Sequence, residues 1–537
     1  MIPEETIIEP VSLSLAPYTG TWTKVEAAHL LRRTLFGPTF PQIQQAVTDG
    51  MATTVNNLLQ LPATTPPLTY HPDEAIAAFG TTWINSPYPS TGNNPTVQAR
   101  KTSLAARQME RINTVNLSIQ EKMCLFWTNH FGVNFDSEGR ALYQLHELYR
   151  ANGLGNFKQL VKDVTINPAM LDFLNGNSNN LFSPNENYSR ELFELFTVGK
   201  GPQIAVGDYS TYTETDIFEG AKVLTGWTNW EMYSDVNPTA ISTFMPTLHD
   251  TSTKTLSSYF GNASITDAGA NEYANYIDII FQQPNMAKFI CRKLYRWFVN
   301  YDLTPTVEST VIADMATTLE GNNWSIYAVM DELLKSEHFY DVAIRGAIIK
   351  NPVEYIFSFM KASMSAPTYD LATNYELYLN AYWSCGNLGM GIFEPPSVGG
   401  WTAYYQVPSF SKLWTNSFYI KRRFEYSAWL TLYGGYNVGG NQWNVKALNL
   451  LDSLSNPGNA VAVIDDLETL FSPKPLSAAT KLGLKAILTN GLPDFEWTVQ
   501  HTDYINNPGN TTYSDPVRQR VEFVLVRFTQ LPQFHII

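Results

Sequence analysis

The 537-residue chain is poor in charged residues, and this sets the first limits on its function. Asp, Glu, Lys and Arg make up only 16% of it, well below the share typical of soluble domains. The net charge is −14, and no basic stripe interleaved with aromatic residues occurs, so nucleic acid is not an expected partner. The surface must instead consist largely of Asn, Ser, Thr and Tyr, a composition that favours the periplasm or the cell exterior.

Cysteine and long apolar runs are also scarce. Cys124, Cys291 and Cys385 cannot all pair with one another and show no CxxC spacing, which argues against a disulfide scaffold and a structural zinc site. We expect buried free thiols at Cys124 and Cys291, which fall inside apolar helical patterns. No run of 18 apolar residues exists, so no transmembrane helix is expected. The acidic first 20 residues lack the features of a signal peptide.

Apolar residues are plentiful and mostly helical in their spacing. The sequence predicts a mainly α fold, a large multi-helix globular domain with long loops and a few short strands. We predict an extended N-terminal segment (1–22), a main helical domain (23–432) and a C-terminal helical region packed on it (433–537). The absence of GxGxxG, Walker, GxSxG and HExxH motifs excludes the common nucleotide-binding, serine-hydrolase and zinc-protease interpretations.

Unusual polar residues concentrate in one stretch, 167–227, where the pattern predicts three helices joined by loops. The middle helix, 187–198, has an apolar side and a polar face. That face carries residues at i, i+3, i+4 and i+7, which are Asn187, Arg190, Glu191 and Glu194. An Arg beside two carboxylates can hold an anion, a proton or a cation. A solvated helix face with an Arg–Glu pair is the other interpretation.

The loop before this helix has the spacing of an EF-hand calcium loop. Its candidate ligands are Asn175, Asn177, Asn179 and Glu186. The first position is Asn where Asp is expected, and Asn180 stands where Gly makes the turn. Only Glu186 carries a negative charge, so affinity for calcium would be low. The alternative is an Asn-rich surface turn that caps two helices.

Two histidines and one turn elsewhere in the chain are also candidates for a functional site. His130 lies on an aromatic helix face, either as a hydrogen-bonded core residue or as an acid–base or metal group. His249-Asp250 is either a pH-sensitive or metal-contacting pair or a turn capped by Asp. Residues 392–401, IFEPPSVGGW, predict a rigid turn at the border of a pocket.

Several segments together resemble the bacterial family catalogued as domain of unknown function 1800. They are HLLRRTLFGPT (29–39), FWTNHFGV (126–133), NPAML (167–171), NENYSRELFELFTVG (185–199), AKVLTGW (221–227), His249-Asp250 with downstream Lys254, and PPSVGGW (395–401) followed by Trp414-x-Asn-Ser. These segments occur in the family's order and span residues 29–423. In the first of them, Arg32 and Arg33 are expected to complement the C-terminal end of a helix.

The resemblance implies a mainly helical bacterial protein, many of whose relatives carry export signals. It implies no established activity and no catalytic residues. The chain departs from the commoner family pattern at Ser189, where relatives often have Ala, and at Phe196, where they often have His. Because this chain lacks that His, a metal-binding or acid–base role of the helix face has less support.

Two functions are consistent with the sequence. The first is an enzyme with a pocket where the 187–198 helix meets His130. Glu191 or Glu194 would serve as base or ligand, Arg190 as anion clamp, and a divalent cation such as calcium as cofactor. The second is a non-catalytic cell-surface or assembly protein that binds a glycan or a protein through its 29 Tyr, 29 Phe and 13 Trp residues. The enzyme could act on a small molecule.

Overall fold

The computed structural model describes residues 12–90, 94–206, 208–402 and 410–537, and its architecture is mainly α, as predicted. The N-terminal half contains α1 (Lys24–Thr34), α2 (Phe40–Asp49), α3 (Met51–Leu58), α4 (Asn94–Thr114), α5 (Gln120–His130), α6 (Gly139–Asn152), α7 (Phe157–Thr165), α8 (Pro168–Phe173), α9 (Asn187–Glu191) and α10 (Glu214–Val223). A π-helix, Leu192–Phe196, continues directly from α9.

The remaining helices alternate with long loops. They are α11 (Glu272–Ile280), α12 (Met286–Phe298), α13 (Pro305–Ser309), α14 (Val311–Gly321), α15 (Ile326–Lys335), α16 (Pro352–Ala362), α17 (Leu371–Asn387), α18 (Ser417–Leu432), α19 (Ala447–Asp452), α20 (Ala460–Phe471), α21 (Ala478–Leu488), α22 (Asp494–Asn506) and α23 (Thr511–Thr529). Within the described ranges the strands form four short antiparallel pairs. The pairs are β1 (Gln203–Ala205) with β2 (Asp208–Tyr209), β3 (Trp227–Thr228) with β4 (Thr243–Phe244), β5 (Lys254–Thr255) with β6 (Ser264–Ile265), and β7 (Tyr436–Val438) with β8 (Asn441–Trp443).

Helix starts follow local capping chemistry. The Thr23 side chain caps α1 in a reciprocal box with Glu26, and Thr213 does the same for α10 with Asp216. The periodicity of residues 41–59 alone predicts one helix, but the chain turns at Gly50, whose φ of +78° suits glycine. The stretch therefore forms two helices, α2 and α3.

The C-terminal helices share one hydrophobic core with the rest of the chain. The Thr529 hydroxyl of α23 donates to Ser427 Oγ of α18 at 2.8 Å, and Ile349 pairs with Ile536 in a β-bridge. At the other end, the Ser12 amide donates to Asp341 at 2.8 Å. The boundaries at 22 and 432 stay a prediction, and residues 1–11 of the predicted N-terminal segment lie outside the described residues.

All three cysteines are free and buried, and burial raises the pKa of the Cys124 thiol to about 12. These thiols are therefore poor nucleophiles and poor metal ligands. None of the helices in the described ranges is both long enough and apolar enough to cross a membrane.

A buried carboxylate connects three of the helices. Glu121 of α5 accepts hydrogen bonds from Arg111 of α4 at 2.8 Å, from Arg150 of α6 at 2.8 Å and from Gln108 at 2.9 Å. Burial alone would raise the pKa of Glu121, but the two guanidinium groups lower it to about 2. The carboxylate therefore remains ionised in the interior.

We predict that Glu121→Gln destabilises the protein by about 3–5 kcal/mol, because buried Arg150 and partly buried Arg111 lose the charged carboxylate that they share. The folded-state pKa lies below that of the unfolded chain. The stability that the Glu121 carboxylate contributes is thus present near neutral pH and is lost as the pH falls from about 4.5 to about 2. Urea denaturation between pH 2 and 7 measures both effects. Glu425→Gln, in an exposed pair with Lys421, is the control and should leave the urea midpoint nearly unchanged. Similar effects of the two substitutions would contradict the prediction.

Candidate functional site

A cluster of metal-ligand residues lies where β5, β6 and α11 meet the end of α10. His249 follows a short 3-10 helix (Pro246–Leu248), Asp267 lies between β6 and α11, and Glu272 opens α11. One ligand atom from each of these three side chains lies within 4.8 Å of the others. In the part of the chain that the structure describes, this is the one group of three or more His, Cys, Asp or Glu side chains that could surround a metal ion.

Glu272 is the fixed centre of the cluster. It is completely buried in the first turn of α11, where the helix dipole favours a negative charge. Its Oε1 accepts from Lys254 Nζ at 2.6 Å, and Oε2 accepts from the Ala268 amide at 3.2 Å. Lys254 is completely buried as well, so the ion pair holds β5 against the start of α11.

The hydrogen bonds of His249 determine which ring nitrogen carries a proton. Nδ1 lies 2.9 Å from the carbonyl oxygen of Thr225, which can only accept. It also lies 3.2 Å from Thr225 Oγ1, whose own hydrogen is donated to the Lys222 carbonyl at 2.7 Å. Nδ1 must therefore be an N–H. In the neutral ring, Nε2 then presents a lone pair.

That lone pair faces two carboxylates. Nε2 lies 3.1 Å from Glu272 Oε2 and 3.7 Å from Asp267 Oδ1. Three acceptor atoms can meet in this way only when a cation lies among them, either a proton on Nε2 or a metal ion. Burial acts to lower the pKa of His249, but Glu272 and the Thr225 carbonyl outweigh it and leave that pKa raised.

The distances between these atoms also suit a metal. Ligand atoms about 2.0 Å from a tetrahedral zinc ion lie about 3.3 Å from one another. A backbone carbonyl that accepts from the second ring nitrogen is the usual outer contact of a metal-bound His. Asp267 is 45% exposed at its side chain, whereas those of His249 and Glu272 are buried, so the cluster reaches solvent on one side.

His130, the last residue of α5, lies in a different environment. Its buried ring is hydrogen-bonded through Nε2 to the Phe196 carbonyl at 3.1 Å, and Nδ1 lies 3.0 Å from Lys293 Nζ. Lys293 also donates to the Leu195 carbonyl at 2.8 Å. Burial and Lys293 together lower the pKa of His130 well below its usual value. The pair satisfies two carbonyl groups at the end of the π-helix.

Arg190, Glu191 and Glu194 are all half-buried, and Glu191 lies close enough to the other two to interact with their charges. Arg190 donates to both oxygens of Glu214, at 2.8 and 2.9 Å, and to Glu186 at 3.0 Å. Glu194 accepts from the Tyr212 hydroxyl at 2.6 Å and pairs with Lys200 at 3.2 Å.

Glu191 has no hydrogen-bond or ion-pair partner among the described residues. Its pKa is raised by burial and by the neighbouring Glu194. His130 has no described contact with these three residues, since its hydrogen bonds go to the backbone of Phe196 and to Lys293 and its ring packs among aromatic side chains.

The predicted calcium ligands take part in hydrogen bonds within the protein. Asn177 Nδ2 donates to Asn229 at 2.8 Å. Asn179 donates to the Ala221 carbonyl at 2.8 Å and accepts from the Asn185 amide at 2.8 Å. Asn175 adopts a left-handed conformation, with φ of +56°. With Glu186 paired to Arg190, these contacts describe a loop that caps its neighbours, and the calcium site stays a prediction.

Comparison with protein families shows to which family the chain is related. A family model described as "Protein of unknown function (DUF1800)" matches residues 29–525. The chain belongs to this family. No curated protein and no solved structure matches the chain. The DUF1800 match continues past Arg423, where the family-like sequence segments end, and takes in the C-terminal helices α19 to α22 and most of α23.

Two of the DUF1800 segments, FWTNHFGV and PPSVGGW, lie against each other. The amide of Trp401 donates to Asn129 Oδ1 at 2.9 Å. A Cβ on Gly400 would lie 2.3 Å from the Asn129 carbonyl oxygen, so only glycine fits there. As predicted, the turn borders a cavity, of about 370 Å³, whose lining includes Trp383, Trp401 and Trp414.

The partners of the ligand-type histidine are not apparent from the sequence. Asp267 and Glu272 lie 18 and 23 residues beyond His249 and show no metal-motif spacing. Glu272 resembles an ordinary acidic residue in the first turn of a helix. The one sequence signal for the cluster is His249-Asp250 with Lys254. It identifies the segment that contains the histidine but not Asp267 and Glu272, the other two candidate ligands.

We predict that Lys293→Met abolishes one pH-dependent component of stability. Burial and Arg296 lower the pKa of Lys293 from 10.5 to about 7. Between these values the unfolded chain holds a proton that the folded chain has lost, so the parent gains stability as the pH rises from about 7 to about 10.5. Free energies of unfolding of the parent and the variant across this range measure the difference. Lys288→Met, on the same helix, is the control, and an equal loss of pH dependence in both variants would contradict the prediction.

Proposed function

We propose that this DUF1800 protein is a metal-dependent enzyme that binds one divalent transition-metal ion through His249, Asp267 and Glu272. The observation that carries the proposal is the position of His249 Nε2, which faces two carboxylate oxygens at 3.1 and 3.7 Å and can direct its lone pair between them when it is unprotonated. A site with three protein ligands keeps a coordination position for water, and metal-activated water is the nucleophile of many hydrolytic enzymes.

The surroundings of the cluster support this proposal. Lys254 neutralises Glu272 through the oxygen that does not face His249, so the other oxygen remains directed at the proposed metal. Thr225 fixes the tautomer and orientation of the imidazole. Asp267 lies on the solvent side, where a substrate could approach.

The carboxylates of α9 and of the π-helix that follows it, Glu191 and Glu194, are a second part of the proposed enzyme. Glu191 is half-buried, its pKa is raised, and it has no partner among the described residues, which suits a group that exchanges a proton. Arg190, in contrast, already has two carboxylate partners and is less suited to clamp an anion. We retain Glu191 and Glu194 as candidate proton-transfer groups and give Arg190 a positioning role.

We predict that purified protein dialysed against zinc retains a stoichiometric amount of it by elemental mass spectrometry. A chelator should then lower the melting temperature, because the metal binds the folded state. His249→Ala and Asp267→Asn should each lose the metal and the chelator effect. His71→Ala, in a partly exposed pair with Asp73, is the matched control and should keep both. A parent protein that retains no zinc would overturn the proposal.

The predicted calcium loop is tested separately. If it binds calcium, the ion raises the melting temperature of the parent, and Glu186→Gln removes that gain because the substitution deletes the only charged ligand. His249→Ala should retain the gain, which distinguishes the loop from the histidine cluster. A parent whose melting temperature does not respond to calcium excludes the loop as a site.

The alternative function is non-catalytic binding of a glycan or protein. The observation that favours it is the cavity lined by Trp383, Trp401 and Trp414, because indole faces stack well on sugar rings and on apolar side chains. Failure of the metal experiment together with binding of an oligosaccharide that is lost in Trp383→Ala would favour this function.

A further inference from the structure

The protein has a second cavity, of about 530 Å³, whose lining residues include none of the histidine cluster. It is lined by side chains of α1, the segment 341–345, the end of α20 and the loop that follows α20. Apolar side chains form much of its wall, including Val342, Ala343, Pro473 and Pro475. Its volume is in the range of cavities that hold small organic molecules.

Two arginines at this cavity keep unsatisfied donors. Arg32 is 4% exposed and donates through Nη1 to the Thr469 carbonyl at 2.6 Å, but its buried Nε has no partner. Arg345 pairs with Glu26 at 2.8 Å, and its buried Nε also has no partner. A buried N–H without an acceptor costs about 1–3 kcal/mol, so both guanidinium groups keep hydrogen-bonding capacity that the protein itself does not use.

The two guanidinium groups also affect each other. Burial, and then the nearby charge of Arg345, lower the pKa of Arg32 to about 9. Two cations this close in a partly apolar space attract an anion. Lys474, exposed at the rim, adds a further positive charge.

The acidic residues that line the cavity are directed at other partners. Asp341 accepts from the amides of Ser12 and Ala343, both at 2.8 Å. Glu468 accepts from the Leu476 amide at 2.5 Å and pairs with Lys481 at 2.5 Å. Glu468 thus has a cationic partner and both oxygens of Asp341 have amide donors, whereas Arg32 and Arg345 each keep a buried N–H without an acceptor.

We propose that this cavity binds a monocarboxylate with an apolar chain, its carboxylate held between Arg32 and Arg345 and its chain against the Val342 and proline wall. Planar guanidinium groups match a carboxylate in geometry as well as charge. The apolar wall gives no hydrogen bonds, so it favours a hydrocarbon body over a polar one. The site is independent of the metal site.

Isothermal titration calorimetry of the full chain with octanoate tests the proposal. Octanoate should bind at least about tenfold more tightly than octan-1-ol, which lacks the charge, and than inorganic phosphate, which lacks the chain. Arg345→Met should weaken octanoate binding by about tenfold or more, because a donor and a charge are lost. Melting temperatures of each variant show whether it is folded.

A second variant avoids the buried arginines. Val342 is 72% exposed at the cavity wall, so Val342→Glu should fold normally and weaken octanoate binding through charge repulsion. Val206→Glu is the matched control, since Val206 is 99% exposed and not among the cavity residues, and it should bind as the parent does. Equal binding of octanoate and octan-1-ol, unchanged affinity in Val342→Glu, or no binding of octanoate to the parent would each overturn the proposal.

Discussion

An ionised side chain in a protein interior must find opposite charge and hydrogen-bond partners, and much of this structure depends on that constraint. The chain has few charged residues, yet it buries several of its carboxylates. Glu121, Glu138, Glu272 and Glu354 are all buried, and each is paired with at least one Arg or Lys. The Glu354–Lys122 pair joins α16 to α5, and the Glu272–Lys254 pair joins α11 to β5. Charges used in this way are absent from the surface, which is consistent with its uncharged polar composition.

The same constraint acts on backbone groups at the π-helix. The wider turn of Leu192–Phe196 leaves carbonyl groups that the next helical turn does not satisfy, because the helix ends at Thr197. His130 and Lys293 supply the missing donors to Phe196 and Leu195. These contacts account structurally for a histidine among aromatic side chains. They also fix the helix whose other face carries Glu191 and Glu194.

Much of the fold follows from local sequence signals, and much of the site does not. Thr23 with Glu26, Thr213 with Asp216, and Asn167 before Pro168 mark helix starts because a cap depends only on nearby residues. The amphipathic pattern of residues 187–198 predicts Arg190, Glu191 and Glu194 on the polar side, and all three are half-buried in the structure. It gives no sign of the π-helix, which depends on donors from α5 and α12, more than 60 residues away in sequence.

The structure of the Gly-rich segment 434–440 also cannot be predicted from local sequence alone. Its composition indicates a flexible loop, yet Tyr436–Val438 pairs with Asn441–Trp443 around a turn at Gly439 and Gly440. The buried indole of Trp443, which lies against Tyr378 and Tyr436, anchors this hairpin through tertiary contacts that composition does not report. His249, Asp267 and Glu272 meet for the same reason, because packing of β5, β6 and α11 brings together residues whose spacing matches no motif.

The arginines of the interior show how a structural cation differs from a ligand-binding one. Arg33 and Arg423 are completely buried near Glu354, and burial lowers their pKa values to about 9 and about 10. Each donates to a backbone carbonyl, that of Ile344 at 2.6 Å and that of Lys350 at 2.8 Å, and Arg423 also lies over the Tyr355 ring. Both also keep buried guanidinium nitrogens without a hydrogen-bond partner among the described residues, but neither lines the cavity beside Arg32. Arg32 likewise donates to a backbone carbonyl, that of Thr469, but it also lines a cavity. A guanidinium group keeps its proton near neutral pH even when burial lowers its pKa to about 9, so an open space beside it is a place where an anion is favoured.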